Sequence, residues 1–359
     1  MSNLPSGEIP RGAIRFNTDS NKPELWDGSQ WAEFQLSTPN LGQGSDTGPG
    51  ARGIVVAGWT GSANTSQTDY FNLSSTGDVQ DFGDLSSGRR YQAGCSDSTR
   101  GLTFGGFEGP AYTSEIVKTT IASTGSHATF GQMRNAADDG NEGRLGGACW
   151  ASSTRGIHLA GTSPGSQTDA RILYVTIQAD GNSIDFGDLI DSYNFRYGGA
   201  TGNKTRAIAV GGRQEPGSVA VNTMQFVTMA TTGNAQDFGD LSTTTDSTSG
   251  TTSNGTRAVI ATNSSPSYTE KSLEQIKPAS GGNGFGFGDL STGRQDGHSN
   301  SCLSSATRGF FAGGLSAPAT GTTVIDYVTF ETEGTAVDFG DLQTGKAGYS
   351  SFSNAHGGL

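Results

Sequence analysis

Long apolar runs are missing from this sequence. No stretch approaches the ~20 residues that a membrane-spanning helix needs, and no window repeats apolar residues at helical spacing. Positive charge is scarce. The 22 Lys and Arg face 34 Asp and Glu, for a net charge of −12, which argues against a nucleic-acid backbone or an anionic membrane surface as partner. Cysteine is nearly absent: Cys95, Cys149 and Cys302 are an odd, widely spaced set, with no disulfide framework and no CxxC site. Histidine is equally thin. His127, His158, His298 and His356 are scattered, so no metal centre and no cofactor are expected. The opening "MSNLPSGEIPRG" has no basic stretch followed by an apolar one, which predicts folding in a cytoplasm.

What is present is glycine, serine, threonine and repetition. The chain has 56 Gly in 359 residues, and only 32% of it is hydrophobic. Short Val/Ile/Phe/Thr runs between Gly- and Ser-rich turns read as all-β. "DFGDL" stands at 81–85, 185–189, 237–241 and 338–342, "GFGDL" at 286–290 and "TFGQM" at 129–133. Asp-Phe-Gly is a magnesium-binding signature in protein kinases, but a kinase needs it once and also needs His-Arg-Asp, which the chain lacks. Six near-copies indicate architecture.

A second signal, an Arg opening an apolar run, falls at Arg52, Arg100, Arg155, Arg206, Arg257 and Arg308, in steps of 48, 55, 51, 51 and 51. Each unit divides into four strands: A before this Arg, B after it, C an alternating run such as "RILYVTIQA", and D the FGDL segment. A Gly-containing hairpin turn separates C from D. The Phe of each D strand (Phe82, Phe130, Phe186, Phe238, Phe287, Phe339) is expected between neighbouring units, with about 1.5–3 kcal/mol from each burial. The three cysteines lie in strand A, where other copies carry small residues, so close packing is their expected role. The repeat Arg and the Asp after Phe-Gly suggest Arg–carboxylate pairs or turn caps. The first unit begins at strand B, and "GYSSFSNAHGGL" at 348–359 reads as its missing strand A. The expected fold is thus all-β: a six-bladed β-propeller of four-stranded blades over 51–359, closed by the C-terminal strand. The paired Gly and the period near 50 resemble kelch-type propellers, a fold with many functions.

Two kinds of connection differ in how they vary. The A–B and C–D turns are alike from unit to unit, whereas the B–C loops and D–A connections diverge, and alternation places these divergent segments on one face. Their aromatic and charged residues are the candidate receptor contacts: Trp59, Phe107, Tyr112, Tyr193, Arg213, Glu215 and Tyr268. Trp59 and Phe107 share a register directly after strand B, which also suits a role in closing the end of the core. "DDGNEG" at 138–143 offers spaced oxygens but not the full calcium-loop pattern.

Residues 1–34 form a separate small β segment, and 35–50 a polar Gly/Pro linker. Phe16, Trp26, Trp31 and Phe34 are too few for an independent core, so attachment or oligomerisation is expected through them. The stretch "GAIRFNTDSNKPELWDGSQWAEF" resembles a short β-motif of fibre and appendage proteins of tailed bacteriophages. That resemblance implies a virion structural protein, a homo-oligomer such as a trimer, bound to other virion proteins by its N-terminal segment. Its propeller would recognise a host surface glycan or outer-membrane protein without covalent chemistry, and no enzyme activity is expected. A virion decoration or neck protein, and a glycan-degrading propeller, are the alternatives.

Overall fold

The computed structural model of the chain describes residues 9–17, 22–33, 51–125, 127–134, 140–163, 170–190, 197–214, 219–248, 250–263, 268–295 and 302–359. Among these residues every regular element is a strand, and no helix is long and apolar enough to cross a membrane. The chain divides into two compact units, Met1–Gly48 and Pro49–Leu359. The first holds a three-stranded antiparallel meander of β1 (Ile14–Asn17), β2 (Lys22–Trp26) and β3 (Trp31–Glu33).

The second unit is a series of antiparallel sheets, one per sequence repeat. The first contains β4 (Arg52–Trp59), β5 (Asn64–Asn72) and β6 (Gln80–Asp84). The second contains β7 (Ala93–Ser96), β8 (Arg100–Phe104), β9 (Glu115–Thr120) and β10 (His127–Gln132). The third contains β11 (Ala148–Ala151), β12 (Arg155–Leu159), β13 (Arg171–Thr176) and β14 (Ile184–Asp188). The fourth contains β15 (Gly199–Gly202), β16 (Arg206–Val210), β17 (Arg213–Gln214), β18 (Val219–Thr228) and β19 (Gln236–Thr245). The fifth contains β20 (Gly250–Ser253), β21 (Ala258–Ala261), β22 (Ser272–Ile276) and β23 (Phe285–Asp289). The sixth contains β24 (Arg308–Ala312), a small hairpin of β25 (Leu315–Ala317) and β26 (Thr320–Gly321), then β27 (Val324–Thr329) and β28 (Val337–Asp341). The final strand, β29 (Ser350–Ser353), pairs with β4, so the first sheet runs β29-β4-β5-β6. In the sixth sheet the strand-A place is held by one bridge, Ser304 to Gly309, rather than by a ladder.

The FGD segment has three jobs. Its Phe sits at a β-bulge in every sheet, as where Thr68 pairs with Gly83 but Asp69 pairs with Asp81. A bulge re-aims the side chain, and all six Phe are buried. The Phe carbonyl then accepts from the turn glycine of the next sheet: Phe82 from Gly125, Phe130 from Gly181, Phe186 from Gly233, Phe238 from Gly282, Phe287 from Gly334, and Phe339 from Gly77 of the first sheet, at 2.5–3.0 Å. The Gly is needed because the next turn packs backbone on backbone. A Cβ at Gly131, Gly187, Gly288 or Gly340 would overlap the carbonyl oxygen of Gly181, Gly233, Gly334 or Gly77.

The repeat Arg corrects the sequence expectation of pairing with the FGD carboxylates. Each guanidinium instead donates to a carbonyl at the end of the next sheet's third strand: Arg52 to Ile121, Arg100 to Ile177, Arg155 to Met229, Arg206 to Ala279, Arg257 to Phe330, and Arg308 to Ser74 of the first sheet. Four of them also lie over an aromatic ring of their own sheet, Arg52 on Tyr70, Arg155 on Tyr174, Arg206 on Phe226 and Arg308 on Tyr327, at 4.5–4.9 Å. Each of those rings meets the bulge Phe edge-on.

The core lies in the seams between consecutive sheets, and Phe71, Phe310 and Phe339 fill the one shared by the first and sixth. The inner strands explain how a chain so poor in apolar residues buries so much. Most of their residues are small, Trp150 and Phe352 apart, and several of their hydroxyls bond neighbouring inner strands: Ser96 to the Ser353 carbonyl, Ser253 to Gly202, Ser304 to Ser253 and Ser353 to Ser304, at 2.6–2.7 Å. Cys95, Cys149 and Cys302 are free and fully buried among them.

Beyond β29 the chain does more than supply a strand. His356 Nε2 donates to the Ser96 carbonyl at 2.7 Å, and its Nδ1 accepts from Gly358 at 3.1 Å. Its ring meets Trp150 of the third sheet edge-on at 5.2 Å, and the Gly357 amide donates to Ser253 of the fifth. Residues 354–359 thus tie together inner strands that are distant in sequence.

Candidate functional site

A glycine doublet, or Ala-Gly, ends the second strand in five of the six repeats. Ala57-Gly58, Gly105-Gly106, Ala160-Gly161, Gly211-Gly212 and Gly313-Gly314 all have positive φ, which turns the chain sharply where a branched residue would be strained. The bend carries the B–C loop over to the D–A connection. Gly58, Gly106, Gly212 and Gly314 donate to the carbonyls of Arg89, Arg144, Thr245 and Lys346.

Those D–A residues form a second set of cations. Arg89, Arg144, Arg294 and Lys346 are all buried. Arg89 pairs with Glu115 at 2.7 Å and Glu108 at 2.8 Å, Arg294 with Asp326, and Lys346 with Asp69 at 2.9 Å. In each pair but Arg89–Glu108 the acid lies on the third strand of the next sheet in the series, Lys346 of the sixth reaching the first. Burial raises the Asp69 carboxyl and lowers the Lys346 ammonium, each opposed by the other's charge. These cation–carboxylate pairs, carried by "GDLSSGR", "GDLSTGR" and "GDLQTGK", are not the ones anticipated for the repeat, which joined the Arg of strand B to the FGD Asp. Among the described residues one strand-B Arg does meet a carboxylate, Arg100 on Asp180 at 3.0 Å.

Upon this frame stands a cluster of rings around one arginine. The Arg90 guanidinium carbon lies 5.1 Å from the Phe107 ring, 5.3 Å from Tyr91 and 5.4 Å from Trp59. Phe107 meets Tyr112 edge-on at 5.9 Å, and Tyr91 meets Tyr197 at 5.5 Å. All six side chains are half-buried. Backbone bonds fix the parts: Trp59 bridges to Ala347, Arg90 to Phe107 and Phe107 to Tyr112, and Asn64 Nδ2 donates to the Phe107 carbonyl at 2.9 Å. Tyr91, Gly146, Tyr197 and Thr248 are joined in series, each donating to the carbonyl of the one before, and Tyr91 donates to Gly348.

The structure thus brings together Trp59, Phe107 and Tyr112 from the sequence-predicted set. Arg213 stands elsewhere, with its Nη2 on Asp246 Oδ2 at 2.6 Å, and Tyr268 is half-buried and outside the ring contacts among the described residues. Tyr193 and Glu215 lie outside the described residues, as do Phe34, the linker and part of the 138–143 loop. Arg90, Tyr91 and Tyr197 were not anticipated. Their signal is an Arg-Tyr pair just ahead of strand A, "RYQAG" at 90–94 and "RYGGA" at 196–200.

In the N-terminal unit the register divides the candidates by face. Trp26 and Trp31 are directly paired, with rings at 5.4 Å. Arg15 lies over Trp31 at 4.2 Å and bonds Glu24 at 2.7 Å. Ile14 and Phe16 alternate with Arg15 along β1 and are 67% and 59% exposed.

Other features are weaker candidates. A cavity of about 260 Å³ beside Tyr70 and Asp78 has a counterpart of about 140 Å³ at the equivalent Phe226 and Asn234, so it follows from the repeat. No group of three His, Cys, Asp or Glu suits a metal ion among the described residues. Burial pushes the Cys149 and Cys302 thiols well up, and an inert packed thiol is the result. No protein-family model matches the chain, and no curated protein matches it.

Proposed function

We propose that this chain is an appendage protein of a tailed-bacteriophage virion, a closed six-bladed β-propeller that contacts a host-surface receptor non-covalently. Two cyclic series and one strand pairing support the closed ring: the Phe–Gly bonds, the Arg–carbonyl bonds and the β29–β4 ladder each link the end of the chain's repeats to the first. The observation that carries the receptor reading is the ring cluster around Arg90. It lies among B–C and D–A connections, whose side chains differ most from copy to copy. Aromatic side chains there offer large contact area at low entropic cost. The N-terminal unit, with Ile14 and Phe16 exposed, supplies attachment to other virion proteins or to further copies of itself, and many copies per particle raise the effective concentration of weak contacts.

Purified full-length chain should adsorb to bacteria that the particle infects and slow adsorption of the particles themselves, and antibody labelling should mark an appendage on intact particles. Absence of cell binding together with labelling confined to neck or capsid would replace this reading with that of a decoration protein.

A further inference from the structure

Arg90 is an unusual cation for this molecule. Its neighbour Arg89 has two carboxylates. Among the described residues the Arg90 guanidinium meets no carboxylate, and this is what separates it from Arg89, since the Nε of each is buried without a hydrogen-bond partner. What surrounds it is aromatic: Trp59, Tyr91 and Phe107 within 5.4 Å. Rings hold a guanidinium flat by cation–π attraction and leave its donor fork free for an anion.

The two tyrosines supply a second, independent observation. Tyr91 and Tyr197 sit in the left-handed region, φ 58° and 66°. The corresponding places ahead of strand A in two other repeats are Gly146 and Gly348, φ 68° and 58°. A side chain in that conformation is strained by its Cβ as glycine is not. The fold is therefore built as well or better with glycine here, and the tyrosine rings are kept at a cost. Strain of this kind collects at ligand sites.

We infer that Arg90, Trp59, Tyr91, Phe107 and Tyr197 form a binding site for a carboxylate-bearing sugar unit, the guanidinium taking the carboxylate and the rings stacking on the apolar faces of the pyranose. A free cation among rings selects a ligand that is both anionic and flat-faced, and an acidic saccharide unites these properties. The inference rests on the receptor reading for its biological setting but not for its chemistry.

The test is a panel of immobilised oligouronates and sialylated oligosaccharides, each beside its carboxyl-reduced form, with sulfated oligosaccharides as a third arm. The full chain should bind at least one acidic member tenfold or more tightly than its reduced form. Arg90→Gln should abolish that preference. Tyr91→Gly and Tyr197→Gly should weaken binding tenfold or more while leaving Tm unchanged or raised, an outcome that a purely structural role for the rings would not give. No binding to any acidic member, equal binding to the reduced forms, binding confined to the sulfated arm, or full binding by Arg90→Gln would each overturn the site. Saccharide binding without adsorption to cells would instead remove the receptor reading and leave the site standing.

Discussion

At the scale of single residues, the glycine of FGD and two histidines carry the sharpest consequences. Gly340 faces the Gly77 carbonyl where the sixth repeat meets the first, and its φ of 154° is one that side chains rarely adopt. Gly340→Ala should destabilise by about 2–4 kcal/mol, from overpacking and backbone strain together, measurable by urea unfolding. Gly286, two residues before the equivalent Gly288, meets nothing, and Gly286→Ala should be nearly silent. The histidines make stability depend on pH. Burial holds the His356 imidazole down to about 4, and burial with the Arg144 charge holds His158 down to about 3, against an ordinary 6.5. Below pH 6.5 the unfolded chain takes up protons that the folded chain refuses. Their contribution is thus complete above about pH 6.5 and falls as pH drops toward 4, by up to about 1.4 kcal/mol per pH unit for each histidine. Tm measured from pH 7.5 to 4.5 should show this fall, and His356→Gln should flatten its share of the slope.

At the scale of elements, legibility in the sequence followed the side chains. The second, third and outer strands were readable because each carries letters that its geometry demands: Arg and an apolar run, period-two alternation, and Phe-Gly at the bulge. The inner strands were harder, since "AGCS", "GATG" and "GTTS" look like loop, with little side chain to mark a buried strand. The hairpin Leu315–Gly321 and the bridge in place of the sixth inner strand left no signal, because a short pairing needs only backbone. The same limit applied to the candidate site. Trp59, Phe107 and Tyr112 stood out as aromatics in divergent loops. Tyr91 and Tyr197 carry no such mark, because they occupy a place where other copies have glycine, and Arg90 carries none beside a second arginine.

At the scale of the whole molecule, the pairing of β29 with β4 is a joint between the last strand and the first repeat. Removing residues 347–359 takes away β29, His356 and the Gly357 contact together. The shortened chain should lose cooperative unfolding and expose an unpaired edge on β4, seen as a lower, broader melt and increased aggregation. An unchanged melt would remove the joint from the account.

That joint also sets a clock. The Arg52 amide bonds the Asn354 side chain across 302 positions of sequence. At about 5–20 residues per second of synthesis, β4 waits roughly 15–60 s for the strand that covers it. During that interval a nascent chain presents a bare apolar edge to the cell, however well its middle repeats have stacked. Chains halted at residue 345 should therefore recruit holding chaperones and yield to protease, and those extended through residue 359 should escape both.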